Sequence, residues 1–62
     1  MDLHPNHDWY VNSLIRATRL QDWPLRKSLD ADLRKMSKER RCYILEDFRR
    51  EYHATHLLEV GR

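Results

Sequence analysis

All four histidines of the chain fall in two His-x-x-His pairs, His4-Pro5-Asn6-His7 and His53-Ala54-Thr55-His56. Residues three apart share one side of a helix, so His53 and His56 are spaced for two imidazoles to reach one metal ion. Two ligands do not close a structural zinc site. Cys42, the only thiol, precedes His53 by eleven residues, which on a helix is about 16 Å and too far for a shared ion. A fuller set would need His4 and His7 to meet the far end of the last helix, and nothing in the sequence indicates that approach. Solvated or interfacial histidines are therefore expected, with no metal and no cofactor.

Cys42 invites a second chemistry. Near the first turns of a helix and beside Arg41, a thiol is biased toward thiolate. A nucleophile also needs a positioned base and a pocket. No histidine is close to Cys42 in sequence, no glycine-rich phosphate loop occurs, and 62 residues leave little room for a catalytic cavity. Cys42 is expected as a small half-buried side chain at the edge of an apolar stripe, and the chain is not expected to be an enzyme.

Basic residues gather as Lys35, Lys38, Arg40 and Arg41, with Arg49 and Arg50 further along. Placed at the start of a helix that follows another, this cluster resembles the recognition end of a helix-turn-helix, whose second helix enters the major groove. Glu39, Glu46 and Asp47 interrupt the basic surface, and the turn at Met36-Ser37 lacks the glycine often found there. Nucleic-acid binding through Lys35, Lys38, Arg40 and Arg41 is the alternative functional reading, behind a mixed-charge solvated face.

These residues must be positioned by helices. The chain has one glycine and two prolines, and neither Asn-Gly nor Asp-Gly occurs, so hairpin chemistry is missing. With 40% apolar and 35% charged residues the composition is that of a folded helical module. Twelve Lys and Arg against ten Asp and Glu leave only +2, weak evidence for a polyanionic partner. A lone cysteine, with no apolar leader and no membrane-length run, suits a cytoplasmic protein.

The expected fold is all-α: a small three-helix module, residues 1–62 forming a single domain, with helices at about 7–21, 24–36 and 38–60 behind a loose lead at 1–6. Asn6 is placed to cap the first helix, Pro24 to start the second and Ser37 to cap the third, with Gly61 as its stop. Tyr10, Val11, Leu14, Ala17 and Thr18, with Ile15 at the edge, share the inward face of the first helix. Leu25, Leu29, Leu33 and Met36 form the stripe of the second, backed by a solvated face of Arg26, Lys27, Asp30 and Arg34. Ile44, Leu45, Phe48, Tyr52 and Thr55 form that of the third. A helical hairpin, with residues 21–36 partly irregular, is the alternative architecture.

A second apolar strip appears on two helices. Trp9 and Leu20 stand eleven residues apart, nearly eclipsed, off the core face of the first helix. Tyr43, Ala54 and Leu57 lie opposite the core stripe of the third, where Leu57, Leu58 and Val60 surround the last turn. So short a chain buries only about 60% of its unfolded surface, and extra apolar faces are expected to be covered by another molecule. The expected partner-binding residues are Trp9, Leu20, Tyr43, Arg50, Leu57 and Leu58. The expected state is a homodimer that also binds a larger protein, with no membrane contact. In general type, though in no specific motif, the chain resembles small accessory proteins of bacteria, phages and plasmids that modulate or inhibit a larger protein.

Overall fold

The computed structural model describes the backbone of residues 3–60 and the side chains of residues 3–54. Three helices pack together, α1 (His7–Arg19), α2 (Trp23–Arg34) and α3 (Lys38–Val60), and no strand occurs among the described residues. The hairpin alternative is not adopted, because residues 23–34 form a regular helix that contributes Leu29 and Leu33 to the core. Thr55, His56, Leu57, Leu58 and Val60, as side chains, and Gly61 lie outside the described residues.

Each helix end has a physical cause. Asn6 precedes α1, yet its side chain makes no capping bond. A capping residue needs extended geometry, whereas Asn6 sits at φ −105°, ψ 29° and instead donates its backbone N–H to His4 Nδ1 at 3.0 Å. The His4 carbonyl also accepts the His7 N–H at 2.9 Å, and its ring meets Tyr10 edge-on at 5.3 Å. The residues expected as a loose lead are thus bonded to the start of α1.

At its other end α1 stops at Arg19, short of Gln21. Gln21 takes φ +55°, its N–H returns to the Thr18 carbonyl at 3.2 Å, and the Asp22 N–H returns to Ala17 at 2.8 Å. This pair of bonds closes a helix on a left-handed residue, a place where glycine is usual. Asp22 then caps α2 through Oδ1, which accepts the Leu25 N–H at 3.3 Å. Pro24 fills an early position whose missing N–H leaves nothing unsatisfied. Ser37 Oγ accepts the Arg40 N–H at 3.3 Å and so opens α3 as its sequence position implies.

The core consists of Val11, Leu14, Ala17, Leu29, Leu33 and Ile44, with Tyr10, Ile15, Leu25, Met36, Leu45 and Phe48 packed around it. These are the expected inward residues. Central in the packing is α1, which touches both other helices, while α2 and α3 meet each other least. The molecule measures 38 × 28 × 15 Å. In so thin a body every helix keeps a face in solvent.

Two polar residues depart from expectation. His7 is buried, with Nε2 at 2.6 Å from Asp47 Oδ2 on α3. Arg26, expected in solvent, is half-buried where all three helices meet. Its Nη1 donates to Thr18 Oγ1 of α1 at 2.9 Å, its Nε donates to Asp30 at 3.3 Å, and its guanidinium lies 5.2 Å from the centre of the Phe48 ring on α3. The long stem and planar head of arginine let one side chain pack and bond at once.

Candidate interaction surface

Among the described residues, the large apolar side chains most open to solvent are Trp9 at 56%, Leu20 at 66% and Trp23 at 54% exposure, with Leu3 less so. Trp9 and Leu20 line one groove of about 360 Å3, together with Ser13, Arg16 and Ala17 of α1 and Asp22 and Leu25 beyond it. Across the ridge formed by Arg16 and Leu20, a second hollow of about 440 Å3 is lined by Asn12, Ile15 and Arg19. Both are open surface features on the side of α1 turned away from Val11 and Leu14.

Local structure holds this surface in place. The indole of Trp9 meets the Tyr10 ring edge-on at 5.0 Å, which restricts its rotation. Leu20 is the residue that caps α1, so the left-handed turn at Gln21 fixes where it points. Arg16 is exposed between them. The result is a short apolar strip with one cation at its middle.

Of the expected α3 contacts, Tyr43 and Arg50 line neither hollow. Tyr43 is half-buried, and its hydroxyl donates to Glu39 Oε1 at 3.2 Å. The Glu39 charge, then that bond, push the Tyr43 phenol above its usual range. Arg50 is exposed, with Nη1 at 3.5 Å from Asp47 Oδ1, so Asp47 faces both Arg50 and His7. Leu57 and Leu58 lie outside the described side chains.

Of the basic set, Lys35 and Arg40 line a polar hollow of about 380 Å3 with His4, Tyr10, Asp32, Met36 and Ser37. Lys38 is exposed and Arg41 half-buried. Asp32 faces the Tyr10 hydroxyl at 3.5 Å, and burial first, then the Asp32 charge, raises the Tyr10 phenol. A carboxylate therefore sits among the cations expected to contact phosphate.

Cys42 is exposed, not half-buried as expected. Among the described residues no group of three or more His, Cys, Asp or Glu is arranged to hold a metal, and none of the helices is long and apolar enough to cross a membrane. His4 and His7 turn to separate partners, and His53 is exposed.

No protein-family model matches the chain, and neither a curated protein nor a solved structure does.

Sequence reasoning missed the His7–Asp47 pair, although the signal was present. His7 stands four residues before Val11 and seven before Leu14, on the same inward face, and Asp47 stands three after Ile44. Reading His4 and His7 as a pair obscured that periodicity. For Arg26 the sequence carried no comparable sign, since its role depends on Thr18 and Phe48 arriving from other helices.

Proposed function

We propose that this chain is a small cytoplasmic helical interaction module, working as a homodimer, that modulates or inhibits a larger protein. The observation that carries the reading is the groove in which Trp9 and Leu20 stay exposed on either side of Arg16. Trp and Arg are enriched at interface hot spots, and contiguous apolar surface on a small protein marks binding. A second contact, for the larger partner, is assigned to Tyr43 and Arg50 on α3 and, from the sequence alone, to Leu57 and Leu58. Cytoplasmic location fits an exposed lone thiol.

Affinity capture from the native host, run in parallel with wild type, Leu20→Glu and Tyr43→Asp, tests this reading. A defined protein retained by wild type and lost from at least one variant is the expected result. Equal capture by all three, or none by any, would overturn it. Binding to DNA that falls steeply with salt and depends on Lys35, Lys38, Arg40 and Arg41 would favour a nucleic-acid regulator instead.

A further inference from the structure

We infer that the outer strip of α1 binds the same strip of a second copy, antiparallel, about a two-fold axis midway between Ser13 and Arg16. This rests on reading the strip as an interface, and it names the occupant.

Register supports the pairing. Trp9, Ser13, Arg16 and Leu20 follow at spacings of four, three and four, which places them within about 60° of one another around the helix. That spacing alternates like the seam of a coiled coil and reads the same in either direction. In an antiparallel pair centred on its midpoint, Trp9 faces the partner's Leu20 and Ser13 faces the partner's Arg16. Each large apolar residue meets another, and the smallest side chain of the strip meets the longest. The Arg16 stem can lie across Ser13 while its guanidinium returns to water.

Charge selects the same orientation. The first turn of α1 carries Asp8 and its last turn carries Arg16 and Arg19. Antiparallel pairing sets the acidic turn beside the partner's basic turn and opposes the two helix dipoles, whereas a parallel pair would place like beside like. A two-fold contact of this kind is closed, so the strip is covered without growth into a chain of molecules.

Complementation between two charge variants tests both the occupant and the register. By sedimentation equilibrium at micromolar concentration, wild type is expected at about twice the 7.7 kDa of one chain. Trp9→Lys alone and Leu20→Glu alone are each expected as monomers with unchanged helical circular dichroism. Their mixture is expected to return to dimer, because the lysine introduced in one chain then faces the glutamate introduced in the other, while the second Trp9–Leu20 layer stays native. A monomeric wild type would overturn the inference. So would a dimer that survives in both single variants, or a mixture that stays monomeric. A wild-type monomer would remove the homodimer from the proposed function as well, but would leave capture of a larger protein intact, so self-pairing and partner binding fail separately.

Discussion

Nε2 of His7, on the first turn of α1, lies 2.6 Å from Oδ2 of Asp47 on α3. Because a carboxylate only accepts, Nε2 is the donor in this contact. The other ring nitrogen, Nδ1, is buried with no hydrogen-bond partner among the described residues. One good bond therefore coexists with one unsatisfied atom. Asp47→Ala should cost about 1–3 kcal/mol, since it strands a second buried polar atom on His7. Adding His7→Phe should recover most of the loss, because replacing both partners by apolar groups removes the stranded atoms. Urea denaturation of the two single variants and the double variant measures this. Additive single losses would refute the pairing.

Gln21 holds a left-handed conformation that a side chain makes costly. Gln21→Gly should raise stability by about 1 kcal/mol, the strain relieved exceeding the added freedom of the unfolded chain. A lower midpoint in thermal or urea unfolding would show that the turn at residues 20–22 is not built as described.

Arg26 joins three helices, whereas its neighbour Lys27 is exposed. Arg26→Met keeps the stem but removes the bond to Thr18 and the cation over Phe48, and should cost about 1–2 kcal/mol. Lys27→Met should stay within about 0.5 kcal/mol of wild type. Equal effects would return Arg26 to the solvated face that its sequence position suggests.

Alkaline pH offers a check on Tyr10. Its phenol titrates above the ordinary value of 10.0 in the folded protein, through burial and then through Asp32. Above that ordinary value the unfolded chain releases its proton first, so stability falls as pH rises through the interval up to the folded value. Below pH 10.0 the contribution is fully present. Tyr10→Phe should remove this part of the alkaline loss. An unchanged difference in stability between neutral and strongly alkaline solution would contradict the contact with Asp32.

The stripes Val11–Leu14–Ala17, Leu29–Leu33 and Ile44–Phe48 were legible because helix periodicity depends only on the chain's own order. Ser37 was legible as a cap for the same local reason. Asn6 misled, because capping requires a backbone geometry that the bond to His4 Nδ1 replaces. Arg26 and His7 depended on groups from other helices. Trp9 and Leu20 could be read as sharing a strip, but their common groove also needs Leu25 and the turn through Gln21. Tertiary placement is what the periodicity alone does not contain.

If a second copy covers the Trp9–Leu20 strip, Trp9 itself reports it. Trp23→Phe leaves Trp9 as the only tryptophan, so acrylamide quenching of its fluorescence across a dilution series reads that one side chain. Quenching is expected to weaken and emission to shift to the blue as concentration rises, in step with the appearance of dimer mass. Strong quenching at every concentration, with Trp9 as open to solvent in the concentrated protein as in the dilute one, would contradict it.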